Sequence, residues 1–237
     1  MVLSSSLVCL VVGHDWIIDR PVCTLQALTK ELPAGASDER SRIMVEPQEV
    51  SMASNKRDQL LNTAENLFYR EGYHATGIDR ILAESGVAKM TLYKHFKSKD
   101  ELILAVLDAR HELMLARLRE RAGKLPPREA LLGVFDGLHG MIHGNGAFCG
   151  CLFINAAAEY QDREHPIHRR SAAYKAELQS HLRELLERLD APEPLRLARQ
   201  LQYLLEGALS MAHIEGPGEQ ALDAKAAAEC LLNAAGI

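Results

Sequence analysis

Helical periodicity from residue 52 to the C-terminus is the feature that most restricts the fold of this chain. Apolar side chains recur at spacings of three, four and seven residues, as they do on one face of an α-helix. Breaks such as Pro126-Pro127 and Gly216-Pro217-Gly218 divide this pattern into segments. No segment shows the alternation of apolar and polar residues that is typical of a strand. The sequence therefore predicts an all-α protein.

Two of the predicted helices have the spacing of a helix-turn-helix. They cover residues 77–85 and 88–94, and only Gly86 and Val87 separate them. Ser98 and Glu101 then have the spacing of a capping box, which predicts a long helix that ends near residue 121. Further helices are predicted at residues 128–142, 151–160 and 166–189, with two more that end near residues 214 and 235.

One side of the helix at 88–94 is available for contacts outside the protein. At 100° per residue, Leu92 and Phe96 share one side of this helix. The opposite side carries the thioether of Met90, the hydroxyls of Thr91 and Tyr93, and the ammonium group of Lys94. Lys89 adds a further donor, and Lys97 and Lys99 flank the start of the next helix, where backbone N–H groups favour a phosphate. The pattern alone fits a DNA-reading surface or an ordinary solvated helix face.

Charge is distributed unevenly along the chain. The 237 residues carry a net charge of −5, which by itself argues against binding to nucleic acid. Residues 52–99, however, hold eight basic and five acidic side chains. A local positive surplus in an otherwise acidic protein indicates a polyanion-binding surface.

The segment from Thr76 to Leu102 closely resembles the DNA-binding domain of the TetR/AcrR family of bacterial repressors. The most specific part is Thr-Leu-Tyr-Lys-His-Phe at residues 91–96, followed by Lys-Ser-Lys-Asp-Glu-Leu at residues 97–102. The strong match covers roughly residues 55–105. The resemblance implies a homodimer whose recognition helices enter successive major grooves of a palindromic DNA operator.

The resemblance also implies roles for individual residues. Thr76 would cap the second helix against a phosphate. Base edges would be approached by Lys89, Met90 and Thr91, and the DNA backbone would be held by Tyr93, His95 and Lys99. We therefore expect DNA contacts from Thr76, Lys89, Met90, Thr91, Tyr93, Lys94, His95 and Lys99. Family members often carry Ser or Thr where this chain has Ala88, so a capping hydroxyl is missing here.

The family pattern places a ligand-binding core after the fourth helix. We expect a mostly apolar cavity with a few polar groups, which is the usual form of a small-molecule site. The candidate lining residues are Phe135, His139, Ile142, His143, Phe153, Asn155, Glu159 and Tyr174. Plain core packing is the alternative for most of them. In the family's mechanism, a small-molecule effector bound in this core tilts the fourth helix and changes the separation of the two recognition helices.

His139-x-x-x-His143 and Cys149-Gly-Cys151 form a cluster with possible metal or thiol chemistry. Two imidazoles and two thiols could supply four ligands to zinc, and the cysteines could sense oxidants. Cys-x-Cys is a weaker signal than Cys-x-x-Cys, so we expect idle cysteines, no metal and no cofactor. The alternative function that this cluster leaves open is a helical metal- or thiol-dependent enzyme or carrier without DNA binding. No acid–base pair, phosphate loop or nucleophile motif supports it, and we expect no enzyme.

The last two predicted helices carry small and apolar side chains at helical spacing. One stripe consists of Leu197, Leu201, Leu204, Leu205, Ala208, Leu209 and Ala212, and the other of Ala221, Ala224, Ala228, Leu231 and Leu232. We expect them to pair between two subunits as a four-helix bundle. The alternative is an intrachain core.

The predicted organisation has three parts. Residues 1–51 lack sustained periodicity and are expected to be a flexible extension, added by translation from an upstream start codon or retained as a regulatory arm. Residues 52–99 are the predicted DNA-binding domain, and residues 100–237 the predicted effector-binding and dimerisation domain. Nowhere do 18 apolar residues run together, and five scattered cysteines fit a reduced compartment. The sequence thus predicts a cytoplasmic, ligand-responsive repressor without a membrane partner.

Overall fold

The observed helices follow the predicted pattern closely. A computed structural model describes residues 56–144 and 146–237, and these residues form nine helices and no strand. The helices are α1 (Lys56–Glu71), α2 (Ile78–Ser85), α3 (Lys89–His95), α4 (Lys99–Lys124), α5 (Pro127–Ile142), α6 (Leu152–Glu159), α7 (Pro166–Glu187), α8 (Pro194–Glu215) and α9 (Gln220–Ala234). The all-α prediction is confirmed. The predicted extension at residues 1–51 lies outside the described residues. No helix in the described ranges has the length and hydropathy needed to cross a membrane.

Local chemistry explains where α4 begins. The Ser98 hydroxyl accepts a hydrogen bond from the backbone N–H of Glu101 at 3.1 Å, and the Glu101 carboxylate accepts one from the backbone N–H of Lys97 at 2.7 Å. N–H groups at a helix start have no partner within the helix, so these side chains satisfy two donors. The predicted capping box is confirmed.

The tight turn between α2 and α3 depends on Gly86. Its backbone is left-handed, with φ of +64°, and its N–H donates to the carbonyl of Leu82 at 2.9 Å. This conformation costs a residue with a Cβ about 1–2 kcal/mol. Gly86 therefore ends α2 and allows α3 to start three residues later.

Two clusters of buried apolar side chains hold the helices together. The first includes Leu60 and Phe68 of α1, Leu92 of α3, Leu107 of α4 and Phe153 of α6. The second joins α5, the later part of α7, α8 and α9. The C-terminal half of α4 packs on this second cluster through Leu118 and Ala122. Both α4 and α7 therefore contact the two cores.

The predicted inter-subunit stripes are part of the second core, and this prediction is wrong for most of the residues it named. The buried members are Leu197, Leu201, Leu205, Ala208 and Ala212 on α8 and Ala221, Ala224, Ala228 and Leu232 on α9. They pack against their own chain because α5 and the later part of α7 supply matching apolar faces. Their buried members are therefore not available to a partner subunit.

Candidate nucleic-acid interface and ligand cavity

The outward face of α3 presents the side chains expected there. Met90 is 84% exposed and Tyr93 45% exposed, whereas Leu92 and Phe96 are buried. Lys89 and Lys94 are also exposed, while Thr91 and His95 are half-buried. This short helix is anchored by two apolar residues and offers a mixed polar and cationic surface to its surroundings.

Two lysines near this surface have polar partners within the chain. The Lys89 ammonium lies 3.3 Å from the Asp79 carboxylate, and both side chains are well exposed. Exposed ion pairs of this kind contribute only about 0–1 kcal/mol. Lys99 donates to the backbone carbonyl of His74 at 3.3 Å, and burial lowers its pKa. The Lys89 ammonium thus lies beside α2, and the Lys99 ammonium lies beside the segment between α1 and α2.

Thr76 does not cap α2, so that prediction is wrong. The N-cap residue is Gly77, and no side chain caps the helix there. Thr76 is fully buried, and its hydroxyl donates to the backbone carbonyl of Gly72 at 2.7 Å. Its side chain stabilises the turn after α1 and does not face outward toward a phosphate.

The expected loss of a cap at α3 is observed. Ala88 occupies the N-cap position with extended backbone angles, φ −65° and ψ 142°, and no side-chain hydrogen bond closes the helix start. A Ser or Thr in this position accepts a hydrogen bond from a backbone N–H of the first turn.

Glu159 at the end of α6 holds the turn between α1 and α2. Its carboxylate accepts hydrogen bonds from the backbone N–H of Tyr73 at 2.8 Å and of His74 at 2.6 Å, and lies 2.9 Å from the His74 ring. Burial alone raises the pKa of Glu159, but the hydrogen bonds from His74 and Tyr73 outweigh it and hold the pKa below its ordinary value of 4.5. Gly72, with φ of +89°, leaves room for this carboxylate, which a Cβ would meet at 3.0 Å.

Two tyrosines of the same region bind the segment that leads into α6. The Tyr69 hydroxyl donates to the carbonyl of Gly150 at 3.2 Å and accepts from the N–H of Cys149 at 2.9 Å. The buried Tyr73 hydroxyl donates to the carbonyl of Leu152 at 2.9 Å. The end of α1 and the turn that follows it are therefore joined to residues 149–152 by hydrogen bonds as well as by packing.

A cavity of about 630 Å³ lies next to this segment. Its volume is within the range of small-molecule sites, about 300–1,000 Å³. The rings of Phe153 and Tyr174 stack in its wall with centroids 3.9 Å apart. Other apolar lining residues come from five parts of the chain: Met114, Leu118, Val134, Leu138, Met141, Phe148, Leu178, Leu205 and Leu209.

Two of the eight residues predicted for this pocket line it, namely Phe153 and Tyr174. Phe135 and Ile142 are buried in the second core, and the His139 and His143 rings lie against each other outside the lining, with centroids 4.2 Å apart and planes tilted by 36°. Asn155 donates to the carbonyl of Cys149, and Glu159 binds the α1–α2 turn. The face of α5 that borders the cavity consists instead of Val134, Gly137, Leu138, Gly140 and Met141.

The fourth helix contributes to this cavity, which was not predicted from the sequence. Arg110, Met114, Arg117, Leu118 and Arg121 all line it. Their spacing of i, i+4, i+7, i+8 and i+11 places them on one side of the helix. That signal is present in the sequence, but a stripe with three arginines does not stand out when only apolar periodicity is sought.

The predicted histidine and cysteine cluster is not assembled as a metal site. Within residues 56–144 and 146–237, no group of three or more His, Cys, Asp or Glu side chains is placed to hold a metal ion. Cys149 and Cys151 are free thiols; Cys151 lies in the cavity wall, where the Lys175 ammonium donates to its sulfur at 3.6 Å. Oxidant sensing by these thiols stays the alternative to idle cysteines, and release from DNA by oxidant in Cys149→Ser and Cys151→Ser variants would test it. Cys9 and Cys23 lie outside the described residues.

Two helices joined by a short turn, the second with an exposed cationic face, define the class of helix-turn-helix DNA-binding proteins. Comparison with known proteins narrows this class. Residues 60–106 match the family model described as bacterial regulatory proteins, tetR family. A crystal structure of SCO4454, a TetR-family transcriptional regulator from Streptomyces coelicolor, is 35% identical and superposes with a TM-score of 0.72 over 76% of this chain and 95% of that one. The chain belongs to the TetR family of transcriptional regulators.

Other relatives agree with this assignment. A TetR-type transcriptional regulator from Streptomyces avermitilis is 33% identical, with a TM-score of 0.66 over 77% of this chain and 99% of that one. The transcriptional activator FasR from Mycolicibacterium smegmatis is 36% identical over 97 residues, which is 41% of each protein. The chain thus matches less than half the length of this relative. The protein is a DNA-binding transcriptional regulator, and its family consists of regulators and not of enzymes.

Proposed function

We propose that this chain is a repressor that binds a palindromic operator as a homodimer and leaves it when a small-molecule effector binds. The observation that carries this proposal is that α4 packs beneath the helix-turn-helix and also forms a wall of the cavity. We assign DNA binding to residues 52–99 and effector binding and dimerisation to residues 100–237. Such a regulator acts where the chromosome is, which for a bacterial protein is the cytoplasm.

The DNA-facing roles fall on α3 and its flanks. Lys89, Met90 and Thr91 at the start of α3 approach base edges in the major groove. The DNA backbone is contacted by a second set: Tyr93, Lys94, His95 and Lys99. The exposure of Lys89, Met90, Tyr93 and Lys94 supports this assignment. A good pairing of side chain and base contributes about 1–3 kcal/mol of discrimination, while phosphate contacts set position.

An exposed stripe on α8 is the proposed dimer interface. Tyr203 is 66% exposed and Ile214 74% exposed, and Gly207 and Ser210 lie between them on the same side of the helix. Among residues 56–144 and 146–237, nothing lies within 4 Å of the position of a Cβ at Gly207, so a partner helix can approach closely there. The stripe is exposed in the described part of the chain, and a two-fold axis across it would bring two copies of the same face together.

The hydrogen bonds at residues 149–152 supply a route between the two functions. Gly150, Cys151 and Leu152 line the cavity, and their segment is bonded to Tyr69 and Tyr73 of the DNA-binding part. A ligand that displaces this segment changes how the helix-turn-helix is held. Half-sites on DNA lie about 34–36 Å apart, so a shift of a few ångströms prevents both recognition helices from engaging. The ligand needs only a different affinity for the two arrangements.

The proposal is tested by footprinting and in-vitro transcription on the DNA upstream of the gene. We expect protection of a palindrome with two chains per site, and less transcript as protein is added. A protected site that carries a single chain contradicts the homodimer. More transcript with added protein contradicts repression, and this outcome has a precedent because one relative is an activator.

A further inference from the structure

The side chains that line the cavity carry more positive than negative charge. Arg110, Arg117 and Arg121 of α4 line it together with Lys175 of α7, and the only acidic lining residues in the described part of the chain are Glu65 and Glu206. Both acids are already paired. Glu65 lies 3.3 Å from Arg110, and Glu206 lies 2.6 Å from Lys175.

The two remaining arginines have no carboxylate within 4 Å among residues 56–144 and 146–237. The Arg117 side chain is exposed at the cavity and makes no ion pair or hydrogen bond with the described residues. Arg121 donates to the backbone carbonyl of Gly133. Arg121 also borders a smaller pocket that contains acidic residues, but none of them reaches ion-pair distance. Two guanidinium charges are thus left for a ligand.

The surface of α5 is shaped to hold Arg121 in place. A Cβ at Gly133 would lie 3.0 Å from Arg121 Cδ, and a Cβ at Gly137 would lie 3.0 Å from Arg121 Nη1. These two glycines are one helical turn apart, and each costs about 1 kcal/mol of helix propensity relative to alanine. Their lack of a side chain allows the guanidinium to lie against the α5 backbone at the edge of the cavity. Its position is therefore set before any ligand arrives.

Another part of the wall is apolar and aromatic. The rings of Phe153 and Tyr174 stack there, and Phe148 and Met141 also line the cavity. A flat or elongated apolar body fits such a wall, and a cavity of about 630 Å³ accommodates a molecule the size of a small drug. Guanidinium groups bind carboxylates, sulfonates and phosphates through paired N–H donors.

We propose that the cavity binds an organic anion whose acidic head group faces Arg117 and Arg121 and whose apolar body lies against Phe153 and Tyr174. This inference rests on the proposed function, because it names the chemical class of the effector. A ligand bound in this way contacts α4 directly. An anion bound by two arginines of α4 acts on the helix that begins next to the recognition helix.

The test uses two fluorescent dyes with the same ring system. Anilinonaphthalene sulfonate carries an anionic head, and N-phenylnaphthylamine is its uncharged analogue. We expect the sulfonate to bind the full chain about tenfold more tightly or better, since hydrogen bonds to charged groups give differences of that order. Arg117→Gln with Arg121→Gln should remove this preference and leave binding of the uncharged dye unchanged. Arg119→Gln removes a charge from the same helix outside the cavity and serves as the control.

Any other result contradicts a specific part of the proposal. Equal affinity for the two dyes contradicts the proposal that the ligand is an anion. A preference for the sulfonate that survives the double substitution contradicts the proposed site. Neither result contradicts a ligand-responsive repressor. A loss in Arg119→Gln as large as in the double variant shows general charge attraction and also overturns the site. Binding of neither dye by a chain that still binds its operator overturns the cavity as the effector site.

Discussion

At the scale of single residues, Ala88 leaves the recognition helix without an N-cap. We predict that Ala88→Ser stabilises the protein by about 1 kcal/mol, because the hydroxyl can accept a hydrogen bond from a first-turn N–H. For a chain of this size that corresponds to an increase in Tm of about 2–4 °C. Thermal unfolding at a fixed protein concentration measures it.

The matched control for this prediction is Ala83→Ser. Ala83 is exposed in the middle of α2, where serine is a poorer helix former than alanine. The control should lower the Tm slightly. An equal or lower Tm for Ala88→Ser than for the wild type contradicts the account of an uncapped helix.

Glu159 makes the fold sensitive to acid. Its pKa is lowered in the folded protein, so its contribution to stability is fully present above the ordinary pKa of 4.5 and is lost as the pH falls through the lowered value. We predict that Glu159→Gln lowers the free energy of unfolding by about 1–3 kcal/mol at pH 7, because two hydrogen bonds lose their charged acceptor. The difference between variant and wild type should shrink as the pH falls below 4.5.

Glu164→Gln is the control for this pH dependence. The Glu164 side chain is 81% exposed and forms only a surface ion pair with Arg169, so its replacement should change stability little. Chemical denaturation at pH 7 and at acidic pH gives both free energies. A cost of Glu159→Gln that stays constant down to strongly acidic pH is incompatible with the proposed role of the carboxylate charge.

The role of a residue could be predicted from the sequence when it depends only on residues nearby in the chain. The capping box of Ser98 and Glu101 is a relation between residues three apart, and it is found as predicted. The exposed side of α3 follows from helical geometry in the same way. Thr76 was placed wrongly because a hydroxyl before a helix can cap that helix or bind the preceding turn. Burial by tertiary packing selected the second arrangement.

At the scale of elements, helix boundaries were more predictable than helix orientations. The bounds of α5 were close to those expected, yet its predicted cavity face was off by about one residue. Phe135 and Ile142 point into the core, and Val134 and Met141 face the cavity. Both choices satisfy helical periodicity. Only the positions of α4, α7 and α8 around α5 decide between them.

The exposed stripe of α8 leads to a prediction on assembly. We expect Tyr203→Asp to weaken the homodimer at least tenfold, because a two-fold axis places the two new charges near each other in an apolar contact. Analytical ultracentrifugation of the full chain over a range of concentrations measures the dissociation constant.

Tyr93→Asp is a matched control, since Tyr93 is an exposed tyrosine on α3, outside the proposed interface. This variant should dimerise like the wild type. If Tyr203→Asp also leaves the dimer unchanged, α8 does not form the interface through this stripe. If the wild type sediments as a monomer, the homodimer itself is wrong.

At the scale of the whole molecule, the sequence could not show which apolar faces stay within one chain. The stripes on α8 and α9 were predicted to pair between subunits, but the structure buries them between helices of the same chain. The sequence of an amphipathic helix does not show whether its apolar face packs within one chain or against another subunit, because both arrangements bury small and apolar side chains. The hydrogen bond between α1 and the cavity wall could not be predicted either, since Tyr69 and Gly150 are 81 residues apart in the sequence.

The central claim is that the exposed face of α3 reads DNA, and selection of DNA by the protein tests it most directly. The full chain is used to enrich duplexes from a random library, and fluorescence anisotropy then measures affinity for the enriched site and for scrambled DNA. Lys89→Ala and Tyr93→Ala are compared with Lys124→Ala, which removes a charge at the far end of α4. The account predicts a palindromic site, at least a tenfold loss of affinity in the first two variants, and no change in the third. A folded chain that enriches no sequence, or that binds equally well in all three variants, would contradict it.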